Sequence, residues 1–201
     1  MGDEGFGRRS GHENDVTAPA PAKLEAVRSF LSVHDHDPSG TGSIPPSRAT
    51  LGAWLVRNRL LEPSGVAGAD LAWVLRVHSA LRTKVLQNDG RPSDPDSIEI
   101  LNDAASRTGL RLCFGCEDGS RIHTDGEGVG RAIGSLLGIA FLAELDGTWA
   151  RLHACSASDC ASIFYDRTKN HSAKWCSMES CGNRNKVRRY RERQAAAGSL
   201  A

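Results

Sequence analysis

Cys155, Cys160, Cys176 and Cys181 form two pairs, with four residues inside each pair and fifteen between them, and a basic run follows at once. Sulfur ligands in two closely spaced pairs suit one tetrahedral Zn²⁺, because two short turns each deliver two thiolates at low loop-closure cost. With every coordination position filled by protein, none remains for a reactive water, so such an ion holds a fold together and does no catalysis. Two disulfides are the alternative, since the chain has six cysteines, an even number. The N-terminal residues, however, lack the charged, apolar and small-residue pattern of a secretory leader, and in a reducing compartment paired cysteines read as metal ligands. The expectation is a cytoplasmic protein with one structural zinc ion.

The basic run comprises Arg184, Lys186, Arg188, Arg189, Arg191 and Arg193, opposed by Glu192. On a helix, Arg184, Arg188 and Arg191 fall along one side and Lys186, Arg189 and Arg193 along another, with Val187 and Tyr190 expected to face the zinc core. Several phosphate contacts to duplex DNA, and one or two guanine contacts, are within the reach of such a helix. The plainer reading is a solvated basic helix that caps the chain. Net charge is +1 overall, but residues 151–201 hold ten Lys/Arg against four Asp/Glu, +6, and the remainder carries −5. The two parts therefore meet different partners.

Other candidate groups are weaker. Cys113 and Cys116 make a lone Cys-x-x-Cys, read as semi-buried hairpin residues, with a second zinc completed by His123 as the alternative. His34, Asp35, His36 and Asp37 resemble ligands by composition but sit at an expected helix end beside Pro38. His78 lies on an apolar stripe, and His153 and His171 flank the cysteines without supplying a needed ligand. Gly126-Glu127-Gly128-Val129-Gly130 lacks the dinucleotide fingerprint and reads as a turn and helix start. No nucleophile elbow, phosphate loop or carboxylate pair is recognisable, so the chain is not expected to be an enzyme.

The elements that position these residues follow from periodicity. Residues 1–22 are rich in glycine and charge and read as a disordered tail. Leu24, Val27 and Leu31 predict a helix stopping before Asp37-Pro38, with Gly40 to Pro46 as loop and a helix carrying Leu51, Trp54 and Leu55 after it. Leu71, Val74, Leu75, His78, Leu81 and Val85 mark a core helix between Ala69 and Asn88. Another helix starts near Asp96, and Leu110, Leu112 and Phe114 alternate as a strand that turns at Glu117-Asp118-Gly119 into Arg121 to Thr124. Val129, Ile133, Leu136, Leu137, Ala140 and Phe141 predict the next helix. The longest apolar stretch, Ala132 to Leu145, contains Glu144 and reads as too short to span a bilayer. In the cysteine module, Ser162 to Tyr165 is expected to pair with Lys174 to Cys176, and Cys181 to open the last helix, with Gly182 letting backbone N–H groups approach its thiolate.

The segment from Trp175 to Tyr190 resembles the CGNR zinc-finger family, named for the motif here at Cys181-Gly182-Asn183-Arg184. That family also has a Phe-Tyr-Asp segment after its first cysteine pair, found as Phe164-Tyr165-Asp166. Such proteins usually carry an N-terminal ABATE domain, a stress-induced transcription regulator family, and residues 23–150 look compatible with one. Leu51 to Leu61 with Trp54, and Ala80-Leu81-Arg82, resemble its helices; where the family often has an Asn-Thr pair, this chain reads Phe30-Leu31-Ser32-Val33. The resemblance implies a bacterial, cytoplasmic, DNA-binding regulator.

The resulting expectation is a mainly α protein with a small β-hairpin (α+β) plus a C-terminal four-cysteine zinc module resembling a treble clef. Its parts are a tail (1–22), an ABATE-like domain (23–150), a zinc finger with a basic helix (151–196) and a flexible end (197–201). DNA is the expected partner, with a small-molecule effector and a second copy of the chain as further partners and no membrane. The alternatives are an RNA- or protein-interaction zinc module and, behind it, an enzyme in the N-terminal domain.

Overall fold

The computed structural model describes residues 19–21, 23–36, 43–66, 70–116 and 119–198. The expected tail at 1–22 lies outside these except at 19–21, where Ala20 is buried and its N–H donates to Glu25 Oε2 at 2.7 Å. The helical expectation holds. In order come α1 (Leu24–Leu31), a two-residue ladder of β1 (Asp35–His36) and β2 (Ser43–Ile44), α2 (Arg48–Arg57), α3 (Leu71–Asn88) and α4 (Pro95–Arg107). The hairpin β3 (Leu110–Cys116) and β4 (Gly119–Thr124), α5 (Gly128–Leu145), β5 (Leu152–Ala154), β6 (Ile163–Tyr165) and α6 (Asn183–Gly198) complete the fold.

Local sequence sets the helix starts. Ser47 accepts the N–H of Thr50 at 3.1 Å and Asp70 accepts that of Trp73 at 3.0 Å, so each satisfies a donor that the first turn leaves orphaned. Pro95 occupies the first position of α4, where its missing N–H costs nothing. Helix α1 ends at Leu31, earlier than the expected stop before Asp37. Val33 turns into the core and Asp35–His36 pairs in antiparallel fashion with Ser43–Ile44, so the chain is extended where a longer helix was predicted.

One apolar cluster joins α1, α2, α3 and α5, with Phe30 tilted on Trp54 at 5.2 Å and edge-on to His78 at 5.1 Å between ring centroids. The same cluster contains Leu152, Ile163 and Tyr165, so the strands flanking the first cysteine pair are seated in the helical core. Helix α5, by length and composition alone, is long and apolar enough to cross a membrane, because it begins at Gly128, ahead of the shorter apolar stretch expected from Ala132. Its Ile133, Leu136, Leu137 and Ala140 fill the core, which accounts for that composition.

The hairpin lies on α5 through two glycines. A Cβ at Gly134 would stand 2.9 Å from Thr124 Cβ and 3.0 Å from Thr108 Cβ, and one at Gly138 would stand 3.1 Å from Ile122 Cγ2. The register, Leu110 opposite Thr124 and Leu112 opposite Ile122, brings Leu110, Ile122 and Thr124 against the helix, while Leu112 is exposed. Gly134→Ala should therefore overpack this contact and lower stability by about 1–3 kcal/mol in chemical denaturation; an unchanged midpoint would contradict the close approach.

Candidate metal centre and basic helix

Strand β6 faces two ways. Alternation along Ile163-Phe164-Tyr165 puts the first and third side chains into the helical core and the middle one into a second cluster with Cys155, Ala157 and Cys181. Its ladder partner is β5, with Leu152 opposite Tyr165 and Ala154 opposite Ile163, not Lys174 to Cys176 as the sequence suggested. Lys174 meets the knuckle through one bond, its carbonyl accepting the N–H of Ser156 at 2.9 Å. The connection from β5 to β6 is the turn bearing Cys155 and Cys160.

Four side chains, from α1 and α3 and the residues that cap their C-terminal ends, hold these strands. Arg28 Nη1 donates to the Ile163 carbonyl at 3.0 Å, and Ser32 Oγ accepts the Ile163 N–H at 3.1 Å. Asn88 Nδ2 donates to the carbonyls of Trp149 and Leu152, each at 2.9 Å. The Asp89 carboxylate meets His153 Nδ1 at 2.8 Å and accepts the N–H of Ala154 at 3.0 Å. Ser32 belongs to the stretch that replaces the family's Asn-Thr pair, and its hydroxyl serves the free edge of β6.

Of the second cysteine pair, Cys176 precedes a π-type turn, Met178–Gly182, which carries Cys181 and runs into α6. Cys160 Sγ lies 3.8 Å from Cys176 Sγ, Cys176 Sγ lies 3.6 Å from Cys181 Sγ, and all four sulfurs fall within 4.8 Å of one another. A tetrahedron with metal–sulfur bonds of about 2.3 Å has edges of about 3.8 Å. The four are free thiols, which removes the disulfide alternative. The residues fit one structural Zn²⁺ with no open coordination position, a +2 charge that lets four neighbouring thiolates coexist. As thiols they resist joint ionisation: hydrogen bonding with Cys160 pushes Cys155 up to about 11, and hydrogen bonding with Cys155 and Cys160 pushes Cys176 up, whereas their hydrogen bonds hold Cys160 down.

The CGNR motif divides its labour. Cys181 is the ligand. A Cβ at Gly182 would stand 2.9 Å from Met178 Sδ and 3.3 Å from Trp175 Cδ1, so its bareness admits those side chains; its N–H donates to the Ser177 carbonyl at 3.0 Å rather than to a thiolate. Asn183 Nδ2 donates to the Glu179 carbonyl at 3.1 Å. Arg184 Nη2 donates to Cys181 Sγ at 3.3 Å and pairs with Asp159 at 3.3 Å, bringing positive charge to a ligand sulfur and tying the helix to the first knuckle.

The six basic residues are thereby split. Arg184 and Arg188 turn toward the knuckle, Arg188 Nη1 donating to Ser158 Oγ at 2.8 Å. Lys186, Arg189, Arg191 and Arg193 are exposed. Val187 and Tyr190, expected against the zinc core, are 49% and 57% exposed and share a face with Lys186, Arg189 and Arg193, while Asn185 is buried in their stead. Helix α6 extends to Gly198, into the segment expected to be a flexible end from residue 197; residues 199–201 lie outside the described ones.

Asp166, third residue of the Phe-Tyr-Asp segment, is fully buried and shapes the link to the second cysteine pair. Its carboxylate accepts the N–H of Thr168 at 2.7 Å and of Ala173 at 2.9 Å. Burial pushes this carboxyl upward, but the bonds from Ala173 and Thr168 outweigh it and hold the pKa below the ordinary value. The sequence signal was available in Asp-x-Thr, a local turn former.

The remaining histidines and cysteines do not assemble a second centre. Among the described residues the four module cysteines are the one cluster with metal-ligand spacing. Cys113 is disulfide-bonded and so is not a thiolate ligand, and His123 meets Asp125 at 3.3 Å. The side chains of Cys116, Asp35 and His36, and residue Asp37 as a whole, lie outside what is described. His34 Nδ1 is 2.7 Å from the Ser32 carbonyl, and His171 takes a φ of 47° in the link.

Helices packed on a small hairpin, with a closed four-sulfur centre seated on them, define a zinc-finger protein with a helical domain in front of the finger. Residues 151–194 match the CGNR zinc finger family, and residues 25–143 match ABATE, described as "Putative stress-induced transcription regulator". The second match spans more than half of the chain, which therefore belongs to the ABATE family, with a CGNR zinc finger following in the expected order. No curated protein matches it.

Two outcomes follow for the centre. Because β5 and β6 are part of the main core, removing zinc with a chelator should lower the Tm of the whole chain in one transition; calorimetry showing a separate zinc-sensitive melt beside an unchanged second one would contradict the shared core. Asp166→Asn, which sets an amide N–H against a backbone N–H, should cost about 1–3 kcal/mol by denaturant titration. The stability that the Asp166 anion adds is present above the ordinary carboxylate pKa and lost as pH falls through the lowered value, so the gap between variant and parent should close in acid.

Proposed function

We propose that the protein is a zinc-dependent, DNA-binding transcriptional regulator whose structural zinc site presents α6 to the duplex, with the helical domain serving as a sensor or dimerisation module. It works in the cytoplasm and has no enzymatic role. The observation that supports this reading is the exposed face of Lys186, Arg189 and Arg193 around Val187 and Tyr190, with Glu192 the one acidic side chain beside them among the described residues, on a helix whose start is fixed to the sulfur centre and its first knuckle by Cys181, Arg184 and Arg188. A cationic face on a rigid mount matches a groove lined by phosphates, and each neutralised phosphate releases counterion. Membership in a family described as transcription regulators, together with a zinc finger, points the same way.

Fluorescence anisotropy with labelled duplexes tests it. Binding should weaken steeply with salt, with a logarithmic slope of about −3 per chain for three phosphate contacts. Arg189→Ala and Arg193→Ala should each flatten that slope by about one, without loss of zinc. Arg184→Ala should instead reduce zinc retention against a competing chelator, because its guanidinium serves the Cys181 sulfur. No binding to any duplex at low salt would remove the DNA reading. The exposed Tyr190 ring also favours a second reading, stacking on single-stranded RNA; tighter binding to single strands than to duplex, lost in Tyr190→Ala, would transfer the function there.

A further inference from the structure

We propose that the cavity between α3, the chain following α1 and the first cysteine knuckle is a binding site for a small carboxylic acid with a short apolar body. The cavity has a volume of about 270 Å³, with Pro45, Pro46 and Leu86 among its apolar walls and His78, Arg82 and Thr83 among its polar ones. It lies away from the exposed face of α6, so the site stands or falls independently of the DNA reading.

Two polar groups there have hydrogen-bonding capacity to spare. His78 is 1% exposed, and among the described residues neither ring nitrogen has a hydrogen-bond partner. The carbonyls of Phe30 and Val33 are near the ring but miss hydrogen-bond geometry. Burial, reinforced by the charge of Arg82, lowers its pKa to about 4, so the ring is a neutral imidazole with one donor and one acceptor to satisfy. Buried polar groups are almost always partnered, and an exception in a cavity marks the place of an absent molecule.

Arg82 supplies the charge. Its Nη1 donates to the Ala161 carbonyl at 2.8 Å and to the Leu31 carbonyl, while Nε and Nη2 make no hydrogen bond among the described residues. No carboxylate lines the cavity or pairs with the guanidinium among the described residues; burial lowers its pKa, and the anion that opposes this is the Cys160 thiolate of the knuckle. A guanidinium stays ionised on burial, and the N–H groups that its carbonyl bonds leave over can bind an anion in paired fashion. Because the Cys160 thiolate already faces the guanidinium and the imidazole is neutral, the cavity accommodates at most a single further negative charge, which favours a carboxylate over a doubly charged phosphate. The apolar walls suit a short hydrocarbon body, and the volume falls below the roughly 300–1,000 Å³ of drug-sized sites, which limits the ligand to a small acid. Arg82 also holds the carbonyl of Ala161, next to Cys160, so an occupant of the cavity touches the residue that ties α3 to the metal knuckle.

The test is a backbone-amide NMR titration of the zinc-loaded full chain with butyrate and benzoate, against butyramide, benzamide and inorganic phosphate. Saturable shifts should appear around Val33, Ser79, Arg82, Thr83 and Ala161, with each acid binding about tenfold or more tighter than its amide, the factor of one charge-assisted hydrogen bond. Arg82→Gln should abolish the preference for the acid. Thr83→Phe, which fills the cavity and leaves the Arg82 carbonyl bonds in place, should abolish binding and serves if Arg82→Gln does not fold. No saturable shift with either acid, equal affinity for acid and amide, shifts confined to other parts of the fold, or tighter binding of inorganic phosphate would each overturn the proposal.

Discussion

Four thiolates within 4.8 Å repel one another, and the C-terminal quarter of the chain is organised by the need to oppose that repulsion. A dication does most of this, and Arg184 adds a guanidinium hydrogen bond to the Cys181 sulfur. The two cysteine turns have little apolar material of their own; their cluster amounts to Cys155, Ala157, Phe164 and Cys181 with a few half-buried neighbours. A module of that size is not self-sufficient on packing alone, which explains why it uses both a metal and a neighbouring core.

Strand β6 carries the second of these supports. With three residues it contributes Ile163 and Tyr165 to the helical core and Phe164 to the sulfur cluster, and Asp166 then folds the link to the other cysteine pair. The finger and the helical domain thus share a wall. Arg28, Ser32, Asn88 and Asp89 bond to the backbone of that wall, so shifts of α1 or α3 reach the strands that flank the first knuckle.

Sequence patterns revealed some of this and concealed the rest for identifiable reasons. The stripe from Leu71 to Val85 predicted α3 because one long helix with one buried face leaves a clear period, and the cysteine spacing predicted the centre because ligand chemistry tolerates few alternatives. The pairing of β6 was misjudged because three-residue strands leave no alternation long enough to choose a partner, and β5 lies on the far side of the knuckle. The orientation of Val187 and Tyr190 was misjudged for a different reason. Apolar side chains suggest burial, but Asn185 and the two knuckle-facing arginines occupy the inner side of α6 and turn the apolar pair outward. The clamps from Ser32, Asn88 and Asp89 join residues far apart in the chain and leave no local pattern.

Helix α6 meets the rest of the molecule near its start and runs on for several turns with exposed side chains. At about 1.5 Å per residue its sixteen residues extend about 24 Å. It is a lever with its fulcrum at the sulfur cage: a tilt of about ten degrees there carries the far end some 4 Å, about the reach of a side chain. Whatever α6 grips, its aim is set at the fulcrum, and a sub-ångström adjustment among the cysteine turns is enough to redirect it.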